Sequence, residues 1–216
     1  MSHEELQFIT MDMLANMPEE MADPIFDDVD TFSSTFDPTK AIQMGSALPE
    51  SHLIDTTGRS LTTTSLLASG PLLITFYRGE WCPYCNAAIG FLQAHASSLK
   101  QRGVTPIAIT PEQPEHTSAM SKKHSLVFPV YTDPRNALAK QLGIVYDYSV
   151  MRDIHLNSGV DLAKRNDGDS WDVPIPASLL VDRDGVVRNL SIDPDYRNRL
   201  DPQIALKWAE DLSAQI

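Results

Sequence analysis

The sequence predicts an α/β protein in which a central mixed β-sheet is flanked by helices and preceded by a helical extension. Three observations predict it. Short, continuous apolar runs, notably 72–77 and 104–110, have the length and texture of buried central strands. Stretches with apolar residues at three- and four-residue steps alternate with them, as helices do in β–α units. Two extended segments on either side of Arg183-Asp184-Gly185 then read as a hairpin, and a last helix follows.

In chain order, residues 4–22 carry Leu6, Ile9, Met13, Met17 and Met21 at helical spacing. That stripe either packs on its own domain or forms a dimer contact. Residues 23–49 are acidic, punctuated by proline and aperiodic, and read as a connecting loop. Residues 51–55 and 60–62 flank Thr56-Thr57-Gly58-Arg59 as a small hairpin. A short helix over 64–69 stops at Gly70-Pro71. The strand over 72–77 leads into a helix over 86–102, with Ile89, Leu92, His95, Ala96 and Leu99 on one face and Gly103 as its stop. A strand at 104–110, a polar helix over 112–124 and a strand at 127–132 come next. Asp133-Pro134 has the chemistry of a helix start and predicts one helix to Leu142. Residues 146–172 read as a long irregular segment, 177–182 and 186–192 as the hairpin, and 201–213 as the closing helix.

The 216 residues are 42% hydrophobic and 21% charged, which suits one compact domain with an appendage or two small ones. No apolar run approaches the roughly 20 residues of a membrane span. The acidic start, MSHEELQFITMDML, has no basic region of the kind a secretory signal carries, so the expected compartment is the cytoplasm. The net charge of −12 argues against nucleic acid and anionic membranes as partners. Residues 1–40 hold ten acids against Lys40, a net of −9, and read as a solvated extension.

The chemistry sits in Cys82 and Cys85, the two cysteines of the chain, spaced C-x-x-C. Two are too few for a disulfide-stapled secreted domain or a four-cysteine zinc site. In an α/β chain the pair reads first as redox-active. Cys82 falls where a strand turns into a helix, and free N–H groups and the helix dipole stabilise an anion there. A thiolate at that place has a lowered pKa and is the attacking form. Cys85, about one turn later, is placed to resolve an oxidised Cys82 as an intramolecular disulfide. Arg78 adds positive charge and Trp81 shields one side of the sulfur. Glu80 is either a proton acceptor near Cys82 or a surface acid. Trp171 is either a groove-lining or a packing residue. The cluster Asp193, Asp195, Tyr196, Arg197 and Arg199 is either a salt-bridged turn or an electrostatic tuner of the pocket. His95 and His116 are not at metal-ligand spacing. No G-x-G-x-x-G or G-x-x-x-x-G-K-[ST] occurs, so no cofactor and no metal is expected.

FYRGEWCPYC (76–85) after an apolar strand, together with IPASLLVDRDGVVR (175–188), resembles the peroxiredoxin-like branch of the alkyl hydroperoxide reductase C / thiol-specific antioxidant family, within the thioredoxin-fold superfamily. AITPEQPEH, FPVYTDPRNALAKQLGI, DSWDVPIPA and DPDYRNRLDP are similar to blocks of the same family. The resemblance covers about residues 45–215. It implies an acidic N-terminal extension and linker over 1–44 and a thioredoxin-like domain over 45–216. It also implies an antioxidant peroxidase that takes a small peroxide or disulfide and is recycled by a thioredoxin- or glutathione-type reductant, with a homodimer possible. The family's Pro, Thr or Ser, and Cys series does not register cleanly. Set on Cys85, it meets Arg78 and Cys82. Set on Cys82, it meets Thr75 and Gly79. Pro176 stands where the family carries an arginine, and it resembles the cis-proline of thioredoxin-like disulfide oxidoreductases, which implies a cis Ile175–Pro176 bond. Two other readings compete with peroxide reduction. One is thiol–disulfide exchange by the same residues. The other is a thioredoxin fold reused to bind or convert a small organic molecule in a biosynthetic pathway, with 146–172 and the N-terminal helix building the pocket.

Overall fold

A seven-residue apolar run, 71–77, supplies the centre of the molecule, and its alternating side chains feed two cores. The computed structural model describes residues 3–16 and 19–214, without the side chains of 3–5, 13, 16 and 19–23. In chain order the elements are α1 (His3–Asn16), α2 (Glu19–Thr35), β1 (His52–Asp55), β2 (Ser60–Thr62), α3 (Thr63–Leu67), β3 (Leu72–Phe76), α4 (Pro83–Gln101), β4 (Thr105–Thr110) and α5 (Pro114–Lys123). There follow β5 (Val130–Thr132), α6 (Ala137–Gln141), β6 (Val145–Asp147), α7 (Arg152–Asn157), α8 (Leu162–Arg165), β7 (Asp172–Pro174), β8 (Ala177–Val181), β9 (Val187–Ile192) and α9 (Pro202–Ser213).

Seven strands form one mixed sheet in the order β2-β1-β5-β4-β3-β8-β9. β3 runs parallel to β4 and antiparallel to β8, with Ile74 opposite Ile107 on one side and Leu179 on the other. Period-two alternation divides each central strand between the two faces. Leu73, Ala108 and Leu180 join one core with Ile89, Leu92, Ala96 and Leu99 of α4 and with α9. Leu72, Ile74, Ile107 and Leu179 join the other with Leu138 and Ala139 of α6. Each buried leucine or isoleucine contributes about 1.5–3 kcal/mol, which is why the short apolar runs become strands at the centre. Among the described residues no helix is long and apolar enough to cross a membrane.

The structure corrects four expectations. Residues 23–35 are not loop, because α2 runs through Pro24 to Thr35. Ile25, Val29 and Phe32 fall at helical spacing and pack on the body, and tertiary burial of that face outweighs the proline and the acids. The helix predicted over 134–142 is broken. Arg135 and Asn136 take left-handed φ of 57° and 56°, and α6 begins only at Ala137. Asp133 still caps it, its carboxylate accepting the N–H groups of Leu138 and Ala139 at 2.9 Å each. The segment 146–172 is folded rather than irregular. β6 and β7 pair antiparallel, and Tyr148, Met151, Leu162, Trp171 and Val173 make a third core. Its short turns leave no period in the sequence. Finally, among the described residues no peptide bond is cis, so Ile175–Pro176 is trans.

The extension is tied to the body. Leu6 and Val29 are buried in the α4 core, and Ile9 packs on it. The side chains of Met13, Met17 and Met21 lie outside the described residues. Phe8 and Met11 on α1 are exposed. The Tyr146 hydroxyl hydrogen-bonds the Asp28 carboxylate. Further on, the Ile42 N–H donates to the Leu142 carbonyl at 2.8 Å. Gly143, at φ +67°, accommodates this approach, since a Cβ there would lie 2.3 Å from the Lys40 carbonyl oxygen.

Candidate active site

β3 ends at Phe76, and the chain turns over residues 77–82 into α4. Cys82 is the N-cap of that helix, with extended backbone (φ −89°, ψ 116°). Its sulfur takes the place a serine or aspartate oxygen occupies at other caps, and it accepts the N–H of Cys85 at 3.4 Å. Pro83, next along, has no N–H to satisfy, which suits the first helical position. The turn is tightly packed. A Cβ on Gly79 would lie 2.3 Å from Trp81 Nε1 and 2.8 Å from the Glu112 carboxyl carbon, so only glycine fits.

Both sulfurs are fully buried and unbonded to one another. Neither cysteine lies nearer solvent than the other, because both are packed in the α4 core. Each sulfur faces its own guanidinium. Arg78 Nη2 lies 3.5 Å from Cys82 Sγ, and Arg199 Nη2 lies 3.4 Å from Cys85 Sγ. Burial alone pushes the Cys82 thiol up. The hydrogen bond from Cys85 and the charges of Arg78 and Arg199 outweigh it and bring the group well below its ordinary value. Burial, and then the neighbouring Cys82, push Cys85 well up. The two shifts are opposite in sign, so a negative charge on the pair is favoured on Cys82 over Cys85.

Arg78 is itself buried, and three rings enclose it. Its guanidinium carbon lies 3.7 Å from the Tyr196 centroid and 4.9 Å from those of Trp81 and Tyr148. Among the described residues its Nε and Nη1 have no hydrogen-bond partner. Trp81 stacks on Tyr148 at 6.1 Å and meets the edge of His155 at 4.8 Å. A cavity of about 190 Å³ opens beside this group, lined by Arg78, Trp81, Tyr148, His155, Tyr196 and, from α2, Ile25, among others. Burial, and then repulsion by Arg78, lower His155 to about 4, so the ring is neutral at physiological pH.

Of the residues singled out in the sequence, Cys82, Cys85, Arg78 and Trp81 come together here. Pro176 borders a narrow cleft with Arg78, Tyr146 and Tyr196. Glu80 turns away. Its carboxylate pairs with Lys123 at 2.9 Å and Arg165 at 3.3 Å, and its lowered pKa follows first from the Lys123 hydrogen bond. Beneath it, buried Glu112 accepts the Glu80 N–H at 2.7 Å and Arg165 Nε at 2.6 Å, fixing the turn. Trp171 packs in the third core, behind His155 at 6.4 Å. The 193–199 cluster does two things. Asp195 grips Arg197 through two bonds of 2.8 Å, and the turn so fixed aims Tyr196 at Arg78 and Arg199 at Cys85. Tyr148 and His155 went unnoticed in the sequence. The closely spaced Tyr146 and Tyr148 were the available signal.

The AhpC/TSA family matches residues 44–190. The chain is 25% identical over 170 residues to peroxiredoxin Bcp of Escherichia coli K12, covering 79% of this chain and 97% of that one. It is 23% identical over 171 residues to thiol-disulfide oxidoreductase ResA of Bacillus cereus, covering 79% and 82%. Among solved structures, reduced Prx3 of Vibrio vulnificus in complex with hydrogen peroxide superposes with a TM-score of 0.64 at 18% identity, covering 78% of this chain and 99% of that one. Peroxidoxin BcpB of Mycobacterium tuberculosis gives 0.62 at 16% identity, covering 79% and 98%. These likenesses carry the thioredoxin-type fold, and the family match covers well over half the chain. With a capped, charge-stabilised Cys-x-x-C pair at its centre, this chain belongs to the AhpC/TSA family and is a thiol oxidoreductase.

Proposed function

We propose that the protein reduces peroxides through Cys82, with Cys85 as the resolving thiol. The observation that carries this is the Cys82 sulfur itself, a helix N-cap that receives the Cys85 N–H and the Arg78 guanidinium inside a closed aromatic site. The thiolate attacks one peroxide oxygen. A sulfur–oxygen bond forms as the O–O bond breaks, and the other oxygen leaves as alkoxide or hydroxide and takes up a proton. Cys82 is thereby oxidised by two electrons to a sulfenic acid, and the peroxide is reduced to an alcohol or water. Arg78 stabilises the charge that develops on the departing oxygen. The Cys85 thiol then attacks the sulfenic sulfur, water leaves, and a Cys82–Cys85 disulfide forms. An external dithiol of thioredoxin type, or two glutathiones, returns the pair to thiols as it is oxidised in turn. Such a reductant acts in a reducing compartment, and we place the protein in the cytoplasm.

Thiol–disulfide exchange is the second reading. It is favoured by the C-x-x-C spacing and by the absence of the peroxiredoxin Pro and Thr in either register. Stopped-flow mixing of the reduced protein with hydrogen peroxide, an alkyl hydroperoxide and a low-molecular-weight disulfide separates the two, read by tryptophan fluorescence and thiol count. Fast loss of two thiols per peroxide is expected. Reaction with the disulfide alone makes the protein an exchange enzyme.

A further inference from the structure

α2 lies outside the family match, which begins at residue 44, yet one face of it reaches the active site. Ile25, Asp28, Val29 and Phe32 recur at the three- and four-residue steps of a single helical stripe. Ile25 lines the cavity beside Arg78 and Trp81. Asp28, Val29 and Phe32 border the narrow cleft that Arg78 shares with Tyr146 and Pro176. The helix is held there. Val29 is 2% exposed, the Tyr146 hydroxyl binds Asp28, and the Arg197 guanidinium sits 5.3 Å over the Phe26 ring. From the other side, Tyr148, Ile154, His155 and Val160 of the segment between β6 and β7 close the cavity.

The size and chemistry of this space are informative. A cavity of about 190 Å³ has room for about six waters at ~30 Å³ each, several times what hydrogen peroxide needs. It also falls below the ~300 Å³ at which pockets for larger organic ligands begin, so it suits a compact group better than a long acyl chain. Its walls are rings and branched aliphatic side chains. The exceptions are Ser158, the neutral His155 and Arg78, whose Nε and Nη1 have no hydrogen-bond partner among the described residues. We propose that α2 is a specificity-determining wall of the active site. With the β6–β7 segment it forms a subsite for the apolar group of a compact aryl hydroperoxide, whose peroxide oxygens lie toward Arg78 and Cys82. The proposal rests on the peroxide-reduction reading above and adds to it the class of peroxide and the element that selects it.

The test compares second-order rate constants for oxidation of Cys82 by cumene hydroperoxide and by hydrogen peroxide, in the full chain and in two variants that fill the cavity from opposite walls, Ile25→Trp and Val160→Trp. Wild type is expected to prefer the aryl hydroperoxide by about tenfold or more, the discrimination a hydrophobic subsite gives for an apolar group. Each variant is expected to bring the ratio of the two constants toward one. A wild-type ratio of one or less overturns the subsite and leaves peroxide reduction standing. A ratio that falls in Val160→Trp but holds in a folded Ile25→Trp overturns the part assigned to α2. Failure of both peroxides to oxidise Cys82 overturns the peroxide reading and the subsite together.

Discussion

At the scale of single residues, the site depends on which charges face which sulfur. Arg78 touches Cys82 and opposes its protonation, while burial raises it. Arg78→Met removes the guanidinium and keeps most of the volume. The Cys82 pKa should rise, so the pH profile of iodoacetamide alkylation moves to the alkaline side and the rate at neutral pH falls about tenfold or more, one pKa unit being a factor of ten in thiolate. An unshifted profile would remove Arg78 from the account. His155 tests the aromatic enclosure. Its pKa drops from 6.5 to about 4 in the folded chain. Between those values the unfolded chain binds more protons, so stability is present above pH 6.5 and is lost as the pH falls toward 4, by up to about 3 kcal/mol. Denaturant melts of wild type and His155→Phe across that window should differ in slope, with the variant the flatter. Cys82, Cys85, Arg78 and Trp81 are legible in the sequence because ten consecutive residues hold them. Arg199 is visible only as one member of a polar cluster, since its aim at Cys85 depends on a turn fixed by Asp195 and Arg197. Tyr148 and His155 are more than sixty residues from the motif, and tertiary folding alone brings them to it.

At the scale of elements, strands and helices with one strong period are read correctly from sequence, and those that depend on docking are not. β3, α4 and α9 carry their own pattern. α2 does not, because Pro24 and a run of acids mask the Ile25, Val29 and Phe32 stripe, whose value appears only against the body of the protein. The Ile175–Pro176 bond is likewise not encoded locally. The extension over 1–44 makes a direct test of docking. A chain beginning at residue 45 gives up the burial of Leu6 and Val29 and the Ile42–Leu142 hydrogen bond. We expect it to unfold cooperatively, since both faces of the sheet keep their cores, but with stability lower by about 3–5 kcal/mol. Calorimetry checks this. An unchanged Tm would mean that the two helices do not dock in solution, and a molten product would make them part of an obligate core.

At the scale of the whole molecule, a two-faced sheet sets the Cys-x-x-Cys turn at the end of its inner strand β3, and α2 and the segment between β6 and β7 close over it. Both sulfurs are buried, and three aromatic rings pack around Arg78 beside them. Charge follows the same division, with most of the excess acid carried on the extension. In the proposed function Cys82 takes the peroxide oxygen and Cys85 resolves it. Peptide mass mapping after one equivalent of hydrogen peroxide tests it most directly, with a sulfenic-acid trap present. Wild type should yield the Cys82–Cys85 disulfide, and Cys85→Ser should yield the trapped adduct on Cys82. An adduct on Cys85 in Cys82→Ser, with Cys85→Ser inert, would contradict the account and reverse the roles of the two sulfurs.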